Sequence, residues 1–237
     1  MSRASGLFIT ATDTGVGKTV VTGAIGAALQ HSGRTIAVLK PVQSGHVAAD
    51  PAGDTMRLRS ALELETEPET INVYAFDAPL APLVAAREAG DDIRLGAIVA
   101  RAESLAGNAE LLLVEGAGGL LVPVGEAWTI ADLALALGYP LVVVARAALG
   151  TVNHALLTVR TARSLGLRVA AVVLNSTAAE EDASVATNAA LIGEFGDVPV
   201  LGPLPWLGDT VTGASIRSDL SPLFDAERIC ELVRDAR

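Results

Sequence analysis

The stretch Ala11-Thr12-Asp13-Thr14-Gly15-Val16-Gly17-Lys18-Thr19 follows the apolar run Leu7-Phe8-Ile9 and runs directly into Val20-Val21-Thr22-Gly23-Ala24-Ile25. A buried strand, a glycine-rich turn and an apolar helix in that order build a loop for phosphate. Gly15 and Gly17 let the backbone turn so that the N–H groups of the Thr14–Thr19 cradle, Val16 included, point inward at the positive end of the helix. Lys18 is placed to reach terminal phosphates as a point charge, and the Thr19 hydroxyl to ligate Mg²⁺. The glycine that usually opens such a loop is missing. Thr12 stands at its common distance and Ala11 one residue further back, so the loop reads as a variant that is one residue longer.

Outward from this loop, short continuous apolar runs recur at 7–9, 36–39, 111–114, 141–145 and 169–174. They lack the alternation of half-exposed strands, which marks buried parallel strands. Between them, 18–31, 54–64, 93–106, 130–137, 153–165 and 183–195 read as helices, while 44–53 and 122–128 read as loops. Alternating strands and helices predict an α/β fold: a P-loop NTPase-like single domain over 1–237, with a mostly parallel central sheet and helices on both faces.

Composition narrows the partners. The formal charge of -10 disfavours nucleic acid and anionic membrane surfaces, both of which need clustered Lys and Arg. Cys230 is the single cysteine, which excludes an intrachain disulfide and suits a reducing cytoplasm; it is expected as a small core residue on the last helix. The run 7–9 after residues 1–6 is too short for a signal peptide, and no later stretch is long enough to span a membrane.

Further polar residues fall just after apolar runs, so they are expected along one edge of the sheet, outside its carboxyl ends. Lys40-Pro41-Val42-Gln43-Ser44-Gly45 brings a lysine and a hydroxyl there, and Asp54 is placed to open the next helix as its N-cap. Glu115, at the end of Leu111-Leu112-Leu113-Val114, is costly to bury without a partner such as Mg²⁺, and Gly116, Ala117 and Gly118 let a ligand approach the backbone. Gly150-Thr151-Val152-Asn153 begins a helix whose free N–H groups suit a carboxylate. Asn175 ends another strand.

With these residues in place, the chain resembles the ATP-dependent dethiobiotin synthetases. The motifs are 12–19, 40–45, 114–119, 149–154, 173–175 and 202–206, six in the family's order over nearly the whole chain. The resemblance implies that ATP, CO₂ and 7,8-diaminononanoate give dethiobiotin, ADP and phosphate, by way of a carbamate and its mixed anhydride with phosphate. It assigns catalysis to Lys18 and Lys40, Mg²⁺ to Thr19, Asp54 and Glu115, and substrate contact to Ser44. The nucleotide falls to Thr14–Thr19, Asp54, 115–118, Asn175, Ser176, Leu204, Pro205, Trp206 and Asp209. It also implies a homodimer in which Gly150, Thr151, Val152 and Asn153 reach the substrate carboxylate across the subunit interface. The tyrosine that some members use near that carboxylate has no counterpart in 183–195, where Asn188 is the nearest polar residue.

Two other classes fit less well. Partitioning-type regulatory ATPases carry an extra lysine early in the loop, and this loop has none. A glutamine-dependent amidoligase needs a catalytic cysteine, and Cys230 is too near the C-terminus to begin that domain.

Overall fold

The computed structural model describes residues 5–179 and 183–234; part of the N-terminal segment read against a signal peptide therefore lies outside the described residues. The strands are β1 (Ser5–Ala11), β2 (Ile36–Ser44), β3 (Asn72–Phe76), β4 (Leu111–Glu115), β5 (Pro123–Gly125), β6 (Trp128–Thr129), β7 (Leu141–Arg146), β8 (Val169–Asn175) and β9 (Val200–Leu204). Seven of them form one sheet in the order β3-β2-β4-β1-β7-β8-β9, and every neighbouring pair is parallel.

The helices are α1 (Lys18–His31), α2 (Asp54–Ala61), α3 (Pro68–Ile71), α4 (Pro82–Ala89), α5 (Leu95–Ala106), α6 (Ile130–Leu137), α7 (Thr151–Ser164), α8 (Val185–Gly196), α9 (Gly213–Ser215) and α10 (Ala226–Arg234). Side chains alternate across β1: Leu7 and Ile9 pack with α1, α2 and α10, while Phe8 packs with α5, α6 and α7. Each strand thus feeds two cores, which explains the unbroken apolar runs in its sequence. Cys230 lies on α10, partly buried against the first of these cores.

Several boundaries differ from the sequence reading. The segment 122–128 is not simply a loop, because β5 and β6 pair there as a small antiparallel hairpin. Gly125 permits it: a Cβ at that position would lie 1.9 Å from the indole nitrogen of Trp128. The edge strands β3 and β9 had no apolar run to reveal them, since edge strands are half exposed and tolerate the Asn, Gly and Pro found here. Strand β2 continues through Lys40 to Ser44, five residues past the expected end. Its register explains why: after pairing with β4 as far as Leu39, it pairs with β3 from Lys40 onward. Lys40 therefore emerges beside the end of β4, where Glu115 stands. No helix among the described residues is long and apolar enough to cross a membrane.

Candidate active site

Strand β1 is flanked by β4 and β7, and the chain crosses to opposite sides of it, so a crevice opens at its carboxyl end. The loop from Thr12 to Gly17 fills the base of this crevice. Gly15 (φ 71°) and Gly17 (φ 96°) adopt left-handed backbone, and Gly17 is the N-cap of α1. A Cβ on Gly17 would fall 2.2 Å from Nδ2 of Asn175, so glycine is required there by space as well as by angle. Ala11 is the buried last residue of β1 and needs no positive φ, which is why alanine serves where a glycine is commoner.

Behind the loop lies a compact charged cluster. The Lys40 ammonium, 2% exposed, sits 2.6 Å from Oδ2 of Asp54 and 2.7 Å from Oε1 of Glu115. The Thr19 hydroxyl lies 2.9 Å from Oδ1 of Asp54 and 2.8 Å from Oε1 of Glu115. A hydroxyl has one hydrogen, so it can donate to only one of these carboxylates at a time. Asp54 is the first residue of α2 and not its N-cap; that place belongs to Gly53. Its carboxylate instead pairs with Lys40 and lies against the Thr19 hydroxyl. Burial opposes charge on Lys40, but Asp54 and Glu115 outweigh it and raise the lysine above its ordinary pKa. The pull of Lys40, against the cost of burial, lowers Asp54 to about 2. Burial pushes the fully enclosed Glu115 up, with Lys40 opposing.

Lys18 is handled differently. Among the described residues its ammonium donates only to the Asp13 carbonyl, at 3.3 Å, and burial together with repulsion from Lys40 lowers its pKa to about 8.

The donor set fits Mg²⁺. Thr19, Asp54 and Glu115 present hard oxygen atoms, and Oε2 of Glu115 is buried without a hydrogen-bond partner among the described residues. Two carboxylates and a hydroxyl fall short of an all-protein cage, and no group of three or more His, Cys, Asp or Glu among the described residues could hold a metal. Such a sparse set is what Mg²⁺ uses when phosphates supply the remaining ligands.

A cavity of about 280 Å³ runs from Gly15, Gly17, Lys18, Thr19 and Asp54 to Asn175, Ser176, Pro205 and Trp206. The last four meet there because β8 and β9 end side by side. Other residues named from the sequence are placed elsewhere. Leu204 is buried in the core, Val16 is buried with its carbonyl accepting from Asn175, and Glu115 is sealed behind Thr19. Thr14 and Asp209 are exposed beside the cavity without lining it, and 116–118 lie outside its wall. Ser44 ends β2, half-buried. Gly150 to Asn153 form the start of α7, with the Thr151 hydroxyl buried and without a partner among the described residues, but none of the four lines the cavity. Asn188 is buried and donates to the Ala148 carbonyl, bracing the loop before α7.

A family model described as "AAA domain" matches residues 5–213. The ATP-dependent dethiobiotin synthetase BioD of Anaeromyxobacter dehalogenans strain 2CP-1 is 50% identical over 204 residues, 86% of this chain and 91% of that protein. The protein of the same name from Bacillus thuringiensis strain Al Hakam is 41% identical over 231 residues, 98% of this chain and 96% of its own. This chain belongs to the dethiobiotin synthetase family. Solved structures of a ParA family ATPase from Chlorobium tepidum TLS (TM-score 0.56, 13% identity, 99% and 98% of the two chains) and of the MinD cell division protein of Aquifex aeolicus (TM-score 0.55, 16% identity, 98% and 96%) share the fold alone.

Sequence reading missed two features of this dethiobiotin synthetase family member. Gln43, 2% exposed, accepts from the backbone and hydroxyl of Thr55 and donates to the carbonyls of His46 and Val47, so it anchors the loop that delivers Asp54. The polar residue inside the buried 40–45 stretch was the available signal. Arg57, one turn after Asp54, lines the cavity; only the 3.6-residue period of α2 could have pointed to it.

The lowered pKa of Lys18 has a measurable consequence for phosphate binding. A phosphate ligand needs the protonated lysine, which becomes scarce above pH 8. Affinity for Mg·ADP is expected to be about tenfold weaker at pH 9 than at pH 7, read by calorimetry. A flat profile across that interval would remove Lys18 from phosphate contact.

Proposed function

We propose that this chain catalyses the ATP-dependent closure of 7,8-diaminononanoate and CO₂ to dethiobiotin, a step of biotin biosynthesis in the cytoplasm, with 1–237 acting as one domain. The observation that carries the reading is the cluster of buried Lys40, Glu115 and Thr19 with the half-buried Asp54, set directly behind the Lys18 loop. Family membership supplies the reaction, and the cluster supplies chemistry suited to it.

An amine of the substrate adds to CO₂ and loses a proton, giving a carbamate. The carbamate oxygen takes the γ-phosphoryl group of ATP, releasing ADP. The second amine then attacks the carbamoyl carbon, loses a proton and expels phosphate as the ring closes. None of these steps needs a protein nucleophile; they need anions held together and stabilised. Lys18, poorly paired within the protein, is free to meet the carbamate and the transferring group. Lys40 holds the ends of β2, β4 and α2 in register and adds positive charge at the same edge. Mg²⁺, held by Thr19, Asp54 and Glu115, would neutralise charge on the phosphates. Gly15, Gly17 and the Thr14–Thr19 backbone cradle the phosphates, while Asn175, Ser176, Pro205 and Trp206 border the base, with Leu204 behind them and Asp209 beside them.

The substrate meets Ser44 in one subunit and the start of α7, Gly150 to Asn153, in a second copy. Support for a homodimer comes from the groove beside Ala11 and Thr12, where Leu121 and Leu157 are 56% and 58% exposed. Such apolar residues suit cover by another chain.

The test is a product assay. Purified protein with the diamine, bicarbonate, Mg²⁺ and ATP is expected to form dethiobiotin and ADP in equal amounts. Absence of dethiobiotin, with ADP release no faster than without the diamine, would refute the proposal.

A further inference from the structure

We propose that Arg57 grips the phosphate nearest the ribose of the bound nucleotide. This inference rests on the nucleotide reading of the cavity made above and assigns it one more contact.

Asp54 and Arg57 are three residues apart on α2, so they share one face of the helix, about one turn apart along it. Asp54 points at Thr19 and Lys40 at the Mg²⁺ end. Arg57 lines the same cavity, as do Val20 and Val211. Val20 follows Thr19 on the first turn of α1 and shares the cavity wall with Arg57, Pro205 and Trp206. A nucleotide with its terminal phosphates on Lys18 and its base at Asn175 passes its innermost phosphate here.

Charge supports the assignment. By residue type the inner site holds two cationic side chains, Lys18 and Lys40, against two carboxylates, Asp54 and Glu115, and Lys40 is paired with both carboxylates, so little of its charge is left for a ligand. Mg·ADP is still an anion, and Arg57 is a cation on the cavity wall able to offset it. The neighbouring arginines are engaged: Arg59 donates to the Glu65 carbonyl, and Arg217 pairs with Glu63 at 2.9 Å. Arg57 makes no ion pair and no side-chain hydrogen bond with the described residues. An arginine left unpaired beside an anion site has its five donors available for a phosphate.

The test compares wild type with Arg57→Ala and Arg57→Lys, using calorimetry with Mg·ADP, AMP and adenosine. Arg57 is exposed, so the variants are expected to keep the wild-type melting temperature. Arg57→Ala should weaken Mg·ADP and AMP by about tenfold each and leave adenosine unchanged, with Arg57→Lys recovering part of the loss. Mg·ADP within twofold of wild type in Arg57→Ala, AMP unaffected, or adenosine weakened as much as ADP would each overturn the inference. Failure of the wild-type protein to bind Mg·ADP would instead strike at the nucleotide reading itself.

Discussion

Replacing Lys18 with methionine is expected to lower turnover by about a thousandfold or more while making the nucleotide-free protein more stable. The two effects share one cause. Burial and repulsion from Lys40 lower the lysine to about pH 8, overcoming attraction from Glu115 and Asp54. At pH 7 the fold therefore carries a charge it would sooner lose, at a cost of roughly 1–3 kcal/mol. Methionine fills the same space without that charge, and the melting temperature should rise by several degrees. The sign can be checked in the unmodified protein. The folded state gives up this proton before the unfolded state does, so the Lys18 contribution to stability improves as pH rises from about 8 towards 10.5. A methionine variant with a lowered melting temperature, or with more than a tenth of wild-type turnover, would contradict this account.

The same substitution at Lys40 should act in the opposite direction on stability. Lys40→Met leaves Glu115, 0% exposed, and Asp54 without the ammonium that contacts both, with only the more distant Lys18 to offset them. Breaking a buried pair by removing one partner costs about 3–5 kcal/mol, equivalent to a melting temperature lower by roughly 10 °C. Turnover should fall by about a hundredfold or more. Because misfolding and lost chemistry could be confused, the double variant Lys40→Met with Glu115→Gln separates them: it removes the stranded charge, so thermal stability should largely return while activity stays lost. Unchanged stability in the single variant would show that Lys40 is not what holds the carboxylates. Lys40 thus differs from a lysine poised freely over phosphate: it is tied into the fold, so its loss is expected to affect structure and catalysis together.

How much of this was legible beforehand depends on the range over which each feature is decided. The strand, loop and helix around Gly17-Lys18-Thr19 are set within a few residues, by glycines that permit positive φ and by apolar runs that demand burial on both faces. The parallel α/β fold followed from the same runs. The exposed edge strands β3 and β9 did not, because half-buried strands carry no continuous apolar signal. The hairpin of β5 and β6 was hidden in a segment whose pairing depends on Trp128 folding over Gly125.

The site divides along the same line. Sequence alone determined that the Lys18-Thr19 loop, Lys40, Glu115 and Asn175 gather at one sheet edge, since each follows a buried strand; Asp54 joined them only through the family resemblance. Only the tertiary structure decided how their charges are shared. Register takes β2 away from β4 after Leu39, which sets Lys40 beside Glu115 and lets Asp54 close on both from α2. Pairings between residues 14 and 75 positions apart depend on packing, and no local pattern encodes which of two lysines finds the carboxylates and which is left for the ligand.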